Sequence, residues 1–206
     1  GALAAAALSG CGASGSSSAE STAAASSETT ASAADGDTLS FGVIAPLTGP
    51  HALYGEAAKN GVNLALEEIN EAGGVKVGDK SYSLNAAVIC DDKSDSTEAI
   101  SAYNNCASYD ILGIIGTYAS SCTKAFATQA QSDGLIVITP QSTNASICKI
   151  GDYIFRACFS DDAQGPAMAE FIKDKLGAKK AAIIYGSNED YCTGLYESIS
   201  KYFDEN

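Results

Sequence analysis

Tryptophan is absent from this 206-residue chain, histidine occurs once, at His51, and positive charge is scarce, with 12 Lys and Arg against 25 Asp and Glu. A formal net charge of −13 without a basic cluster argues against a nucleic-acid partner. The single histidine excludes a histidine-rich metal site, and it excludes a Ser-His or Cys-His catalytic pair that does not use His51. The hydrophobic content of 46% is that of an ordinary globular chain.

Motifs for cofactors and metals are also missing. No Walker sequence is present, no G-x-G-x-x-G sequence stands between a predicted strand and helix, and the cysteines form no C-x-x-C pair. We therefore expect no metal and no cofactor. Asp91 and Asp92 form the one adjacent carboxylate pair at a strand end, and we interpret them as residues that organise a turn rather than as an acid–base pair. With no nucleophile beside a base, the sequence predicts no enzyme.

Long hydrophobic runs are lacking as well. The opening residues 1–11, GALAAAALSGC, resemble the tail of a secretory signal and are too short to span a membrane. Leu8-Ser9-Gly10-Cys11 resembles the bacterial lipoprotein processing site, which implies cleavage before Cys11 and lipid attachment to its sulfur. The alternative is an ordinary cysteine after an alanine-rich stretch. Residues 12–38 contain no Val, Ile, Leu or aromatic residue, so we predict a disordered tether.

The remaining residues alternate between strand and helix patterns, which predicts an α/β fold with a parallel sheet covered on both faces. The last strand and helix could extend this sheet or begin a second lobe. The predicted strands are Leu39–Ala45, Lys80–Cys90, Ile111–Ile115, Leu135–Thr139, Tyr153–Arg156 and Ala181–Tyr185. The predicted helices are Tyr54–Asn70, one capped by Asp95 and reaching about Ser108, one from Thr123, Pro166–Leu176 and Tyr191–Phe203.

The stretch from Ile111 to Thr123 is the main candidate site. A buried strand ends at Gly116, and four hydroxyl residues follow before a helix begins. Backbone N–H groups and hydroxyls at the carboxyl end of a parallel strand are placed where α/β sheets bind ligands, and a helix N-terminus favours a carboxylate. The alternative is that these hydroxyls only cap a helix.

Nine motifs in a fixed order resemble the leucine/isoleucine/valine-binding protein family, the branched-chain amino-acid receptors of ABC importers. The resemblance runs from about Leu39 to Asn206. The matching segments are Val43–Pro50, Tyr54-Gly55, Asn60-Gly61 with Ala65, Ile69–Val75, Asp91-Asp92, Gly116–Thr123, Ile138–Thr143 with Phe155-Arg156, Gln164–Pro166, and Tyr191.

The resemblance implies a two-lobed periplasmic-binding-protein fold in which each lobe is a doubly wound parallel sheet. We expect this chain to be an N-terminal fragment of such a protein. Residues 1–11 would be the signal remnant and lipobox, 12–38 the tether, 39–160 the N-terminal part of lobe one, and 161–206 the start of lobe two. The ligand would lie in the cleft between the lobes.

The resemblance also implies which residues bind the ligand, because they stand at matching positions of the family's motifs. Ser120 matches a serine that holds the ligand α-carboxylate, and Thr143 matches a threonine that contacts carboxylate and ammonium. Gln141 stands where the family usually has a small residue that uses its main chain, a departure that puts the pocket shape in doubt. Tyr54 matches an aromatic of the side-chain pocket, and Tyr191 matches a lobe-two aromatic that closes over the ligand. The complete predicted set is Tyr54, Tyr118, Ala119, Ser120, Gln141, Ser142, Thr143 and Tyr191.

Six cysteines remain if Cys11 carries a lipid, and an even number in an exported chain favours disulfides. The family's bridge near the cleft is absent, because its positions here are Ser94 and Ala119. Cys90 with Cys122, and Cys148 with Cys158, are two pairings among fifteen, and the spacing does not choose between them.

The sequence therefore predicts a monomeric, lipid-anchored, extracytoplasmic receptor that delivers an amino acid, most simply a branched-chain one, to ABC permease subunits. One alternative is a ligand sensor of the same fold for amides, urea or another small solute. Another is an enzyme on a flavodoxin-like scaffold, which the missing cofactor motifs disfavour.

Overall fold

A computed structural model describes residues 37–206, which contain one six-stranded sheet with helices packed against it. Cys11 and most of the predicted tether lie outside the described residues. The strands are β1 (Thr38–Ala45), β2 (Val75–Val77), β3 (Lys80–Asp91), β4 (Gly113–Gly116), β5 (Ile136–Thr139) and β6 (Ile154–Arg156). The helices are α1 (Ala52–Glu71), α2 (Ser96–Ala107), α3 (Ser120–Asp133), α4 (Asp161–Glu170) and α5 (Asp190–Glu205). A 3₁₀ turn covers Ile147–Lys149, and a π-helical turn, Phe171–Lys175, follows α4.

β1 is the centre of the sheet. The strand order is β2-β3-β1-β4-β5-β6, and every pair is parallel except the β2–β3 hairpin. Val43 pairs with Ile89 on one side and with Ile115 on the other. Because helices cover both faces here, β1 ends in four consecutive buried residues, 42–45, rather than in an alternating pattern. The predicted parallel α/β sheet is confirmed.

The strand order contains a reversal between β1 and β4. After β1 the chain crosses to β3 on one side, and after β3 it crosses back to β4 on the other. Right-handed crossovers therefore place α1 on one face of the sheet and α2 and α3, which pack on each other, on the opposite face. The loops that follow β1 and β4 diverge at this point and leave a crevice at the carboxyl edge.

Two helix starts show how local chemistry sets the boundaries. The Asp95 carboxylate accepts hydrogen bonds from the N–H groups of Thr97 and Glu98, at 2.8 and 3.0 Å, which confirms the predicted cap of α2. α3 begins at Ser120, three residues before the predicted Thr123, because Ala119 already has the extended backbone of an N-cap residue. The first turn of α3 therefore includes Ser120.

α1 buries a slightly different stripe from the predicted one. Ala58, Val62 and Ile69 are half-buried as expected, but Ala65 is exposed and the larger Leu66, four residues after Val62, takes the inward place. The fully buried residue of α1 is Gly55. A Cβ atom there would lie 2.0 Å from the carbonyl oxygen of Pro46, so only glycine allows this close approach between α1 and the loop after β1.

The predicted strand Ala181–Tyr185 is wrong for the described residues. A strand needs a neighbour to pair with, and this segment has none within residues 37–206; Ile184 is fully exposed. Tyr185 instead stacks on Tyr196 of α5, with ring centroids 4.2 Å apart. α5 packs on α4 and also touches α3.

One face of the sheet is open at β5 and β6. Val137 and Thr139 are buried on the α3 side, whereas the alternate residues Ile136 and Ile138 and the neighbouring Phe155 are 41%, 40% and 47% exposed. Three large apolar side chains therefore meet water on one surface. Within the described residues, no helix combines the length and apolar character that a membrane crossing requires.

Candidate functional site

The carboxylates of Asp91 and Asp92 hold together the loops at the β1/β4 reversal. Asp91 accepts hydrogen bonds from the Leu47 N–H at 2.8 Å and the Thr48 hydroxyl at 2.5 Å. Burial acts to raise the pKa of Asp91, but these bonds and one from the Lys93 N–H outweigh it and lower the pKa. The interpretation of this pair as turn-organising residues is confirmed at Asp91, which ties the β1 loop to the end of β3.

Asp92 does the same for the loop after β4. It is completely buried and accepts hydrogen bonds from the Thr117 hydroxyl and, at 3.0 Å, from the Ser94 N–H. Burial raises its pKa, although the Thr117 bond opposes this shift. Each carboxylate thus accepts hydrogen bonds from the loops that it joins.

Ser120 is the first residue of α3 and is almost completely buried. Its hydroxyl oxygen accepts a hydrogen bond from the Asn144 N–H at 3.3 Å. The first backbone N–H groups of a helix have no partner within the helix, so donors converge at this position beside the Ser120 hydroxyl. The site can therefore hold an anionic group such as a carboxylate.

A buried hydroxyl network supports the loops on which Ser120 and the predicted β5 residues stand. Ser142 Oγ lies 2.7 Å from Thr123 Oγ1 and donates toward the carbonyl oxygens of Thr117 and Tyr118, at 3.0 and 3.1 Å. Thr139 Oγ1 also donates to the Thr117 carbonyl, at 2.7 Å. The Ser142 hydroxyl is saturated and the Ser142 N–H donates to Thr139 Oγ1 at 3.0 Å, so Ser142 offers a ligand only its carbonyl oxygen.

Three aromatic rings line one side of the crevice. Tyr54 stacks on Tyr118 with ring centroids 4.7 Å apart, and His51 lies 5.3 Å from Tyr118. Burial raises the pKa of Tyr118, with smaller contributions from Tyr54 and Tyr191, so Tyr191 of α5 lies within electrostatic reach of this wall. The Tyr191 hydroxyl accepts a hydrogen bond from the Gln164 amide at 3.2 Å. The fold thus brings the three predicted tyrosines to one region.

His51 belongs to this wall although the sequence did not single it out as a binding residue. Its Nδ1 is buried, and no other described residue offers it a hydrogen bond. Gln141 Oε1 and Thr143 Oγ1 are likewise buried without a hydrogen-bond partner among the described residues. The sequence could have indicated His51 as a site residue, because it lies in the turn directly after Gly49-Pro50 and three residues before Tyr54.

A polar junction joins the β5 loop to the last two helices. The Asp161 N–H donates to the Thr143 carbonyl at 2.9 Å, and the Arg156 guanidinium donates to the carbonyl oxygens of Thr143 and Asn144. The Asn144 amide donates to the Asp190 carbonyl at 2.6 Å. The Asp161 carboxylate is 1% exposed, and neither of its oxygens meets a donor within the described chain.

We expect acidification to stabilise this junction. Burial raises the pKa of Asp161, and the positive charge of Arg156 opposes this shift only in part, so the folded protein holds the carboxyl proton more tightly than the unfolded chain does. The contribution of Asp161 to the free energy of unfolding therefore grows as pH falls from 7 through the raised pKa, and is complete below the unfolded value of about 3.9. The measurement is the Tm of wild type minus that of Asp161→Asn between pH 7 and 4. A difference independent of pH would contradict the expectation.

No group of three or more His, Cys, Asp or Glu residues within residues 37–206 could hold a metal ion. The groups gathered around Ser120 are backbone donors, hydroxyls and aromatic rings.

The chain matches a known family of proteins. Residues 38–206 match the model of a family described as periplasmic binding protein. The chain is 30% identical over 166 residues to the leucine-, isoleucine-, valine-, threonine- and alanine-binding protein of Pseudomonas aeruginosa, covering 80% of this chain and 43% of that protein. It is 33% identical over 165 residues to Leu/Ile/Val-binding protein homolog 1 of Brucella abortus, with coverage of 80% and 43%.

Solved structures of similar proteins point to the same family. The leucine-binding protein LivK of Thermotoga maritima superposes with a TM-score of 0.73 at 31% identity, covering 82% of this chain and 46% of that one. LivJ of Streptococcus pneumoniae, solved in complex with isoleucine, gives a TM-score of 0.73 at 30% identity, with coverage of 81% and 47%. The chain thus spans about half the length of the relatives it matches.

The chain belongs to the periplasmic-binding-protein family, and its resemblance to the leucine/isoleucine/valine-binding proteins is confirmed. The type I periplasmic-binding-protein fold is likewise confirmed. This is a family of solute-binding proteins rather than of enzymes, and membership implies an extracytoplasmic location.

Proposed function

We propose that this chain is part of a substrate-binding lipoprotein of an ABC importer, which binds a branched-chain amino acid between two lobes and delivers it to the membrane permease. The observation that carries the proposal is the α3 N-terminus, where Ser120 and unpaired backbone donors face a crevice beside stacked tyrosines. The names of the relatives, which refer to leucine, isoleucine and valine, support the ligand class.

In this proposal, the carboxylate, the ammonium group and the side chain of the amino acid each contact different residues. The ligand carboxylate is held by the Ser120 hydroxyl and the first N–H groups of α3, with Ala119 beside it. The N–H groups of Gln141 and Ser142 already donate to Thr139 Oγ1, so these two residues offer the ligand their main-chain carbonyl oxygens, which suit its ammonium group. The Thr143 hydroxyl, buried and without a partner in the described chain, contacts carboxylate and ammonium. Hydroxyls suit this position because they both donate and accept. The aliphatic side chain packs against Tyr54 and Tyr118, and Tyr191 closes over it.

Residues 39–160 form the N-terminal part of lobe one in this proposal, and residues 161–206 begin lobe two. Two observations support the proposal that these residues are part of a longer, two-lobed protein. The relatives are about twice as long as this chain. The open apolar face at β5 and β6 is the kind of surface that further chain covers in a folded protein. The lipid on Cys11 and the tether 12–38 would hold the receptor at the outer face of the membrane, where it works as a monomer.

The proposal is tested by the Tm of the complete mature protein, made without the lipid, against single amino acids. A ligand at one hundred times its Kd adds about 2.7 kcal/mol to the free energy of unfolding, which raises the Tm by a few degrees. We expect the rise with leucine, isoleucine or valine, and none with their carboxyl-amidated forms, because the amide removes the negative charge. No rise with any amino acid would exclude this ligand class.

A second candidate is a sensor or receptor for a solute with its own hydrogen-bonding groups, such as an amide or urea. Gln141 Oε1 and His51 Nδ1 favour it, because both are buried without a partner among the described residues. Covering unpaired polar atoms with a purely aliphatic side chain costs binding energy, whereas a ligand that pairs with them gains it. The same Tm measurement with urea and small amides separates the two candidates.

A further inference from the structure

Cys90 and Cys106 meet in the interior on the α2 side of the sheet. Cys90 is the second-to-last residue of β3, and Cys106 lies in the last turn of α2. Their Sγ atoms are 3.5 Å apart, with side chains 7% and 0% exposed. No disulfide links the described cysteines, which are free thiols here. The sulfur in contact with Cys90 is thus that of Cys106, and not that of Cys122, the partner suggested from the sequence.

The two sulfurs are held in this position by their surroundings. A Cβ atom at Gly42 of β1 would lie 3.1 Å from both Cβ and Sγ of Cys106, so Cys106 is packed tightly against the central strand. On the other side, the Asn105 amide donates to Cys90 Sγ at 3.3 Å. α2 is fixed at its start by the Asp95 cap. The contact therefore belongs to the packed core and not to a mobile surface.

We propose that Cys90 and Cys106 form a disulfide bond in the exported protein. A disulfide places its sulfurs about 2.05 Å apart, so roughly 1.5 Å must be closed, a distance that small rotations about the single χ1 angle of each cysteine can supply. The extracytoplasmic location of the family provides a compartment in which such bonds form and persist.

The reaction needs an oxidant, and a disulfide-bonded thiol oxidoreductase of the cell envelope is the class that fits. Because both thiols are buried in the folded protein, the exchange takes place while the exported chain is still folding, before β3 and α2 close over Cys90 and Cys106. The Cys90 thiolate attacks one donor sulfur and releases the other donor thiolate. Cys106 then loses its proton, attacks the Cys90 sulfur of the mixed disulfide, and releases the second donor thiolate. The two protein thiols lose two electrons and two protons, and the donor disulfide becomes a dithiol.

The bond would connect α2 to β3 directly before Asp91 and Asp92, the residues that hold the loops of the crevice. It would therefore fix the base of the binding site from the core side. This inference concerns the folded scaffold and depends on export, not on which solute the crevice binds, so it can fail or succeed independently of the proposed ligand.

Peptide mapping of the complete protein, exported to a bacterial periplasm, tests the pairing. Free thiols are alkylated in denaturant at acid pH, and the protein is digested without reduction. Trypsin leaves Cys106 and Cys122 on one peptide, so a second protease that cleaves at Asp110 is needed to separate them. We expect a disulfide-linked pair of peptides that contains Cys90 and Cys106. Singly alkylated Cys90 and Cys106, or a Cys90–Cys122 link, would overturn the proposal.

A Tm measurement gives a second, independent readout. A reductant is expected to lower the Tm of wild type by roughly 5 °C more than that of the Cys90→Ala/Cys106→Ala double variant, which has no bond to lose. Cys122→Ala is the matched control, because Cys122 is also buried and should leave the wild-type response intact. An equal response in wild type and the double variant would overturn the proposal even if some linked peptide were detected.

Discussion

Ser120→Ala is expected to weaken amino-acid binding by about 10- to 100-fold. A hydrogen bond to a charged group contributes about 1.5–3 kcal/mol, and in the proposed site the Ser120 hydroxyl at the α3 N-terminus donates one to the ligand carboxylate. The helix N–H groups remain in the variant, so some affinity is kept. The measurement is the Kd of the complete mature protein for leucine, isoleucine and valine by calorimetry.

The control for this prediction is Ser132→Ala, at the opposite end of the same helix. Ser132 donates to the Thr128 carbonyl at 3.0 Å on an exposed surface, so its loss should change neither Kd nor Tm appreciably. In Ser120→Ala the Asn144 N–H loses its acceptor, and the Tm without ligand reports that separate effect. An unchanged Kd in Ser120→Ala would remove this residue from the binding site.

Gly55→Ala is expected to destabilise the protein by about 3 kcal/mol or more. The added methyl group would meet the Pro46 carbonyl oxygen at 2.0 Å, and because that atom is backbone, either α1 or the loop after β1 must move. A change of this size lowers the Tm by several degrees, and it should also weaken ligand binding because Tyr54 adjoins Gly55.

Gly61→Ala in the same helix is the matched control, with an effect of opposite sign. A Cβ atom at residue 61 meets nothing within 4 Å, so the alanine gains about 0.5–1 kcal/mol of helix propensity without a clash. Thermal unfolding of both variants without ligand is the measurement. If the two substitutions changed the Tm equally, the close approach of α1 to Pro46 would not exist in solution.

Much of the sheet could be predicted from sequence because its strands are short, β-branched and separated by clear helix and turn signals. Val43, Ile44 and Ile114 were recognisable as core residues for this reason. The β2 strand, Val75–Val77, was missed because a three-residue exposed strand carries almost no pattern. Ala181–Tyr185 has a strong strand pattern, but a strand forms only where a neighbour offers its hydrogen-bonding edge, and such long-range pairing is not encoded in the segment itself.

The candidate site was predictable where function depends on backbone position and unpredictable where it depends on side-chain contacts. The stretch 111–123 follows from a strand, a glycine and a helix start, whereas Ser120 within it was singled out through the family resemblance. The Ser142 hydroxyl donates to the carbonyl oxygens of Thr117 and Tyr118. The position of Ser142 in the Gln-Ser-Thr sequence does not predict these hydrogen bonds. The inclusion of His51 in the aromatic wall, and the contact of Cys106 with Cys90, likewise arise only when distant segments are packed together.

The strand order has a consequence for how fast this protein can fold. Val43 must find Ile89 and Ile115, residues far along the chain, before the crevice exists, and the loops that form it follow four different strands. Parallel pairing of this kind requires long loops to be closed before any contact energy is gained, which makes folding slow compared with that of helical or hairpin proteins. Slow folding gives an exported chain a long interval in which its apolar segments are unprotected. The crevice exists only where these parallel pairs have formed, so a chain that binds its ligand has already completed the centre of its sheet.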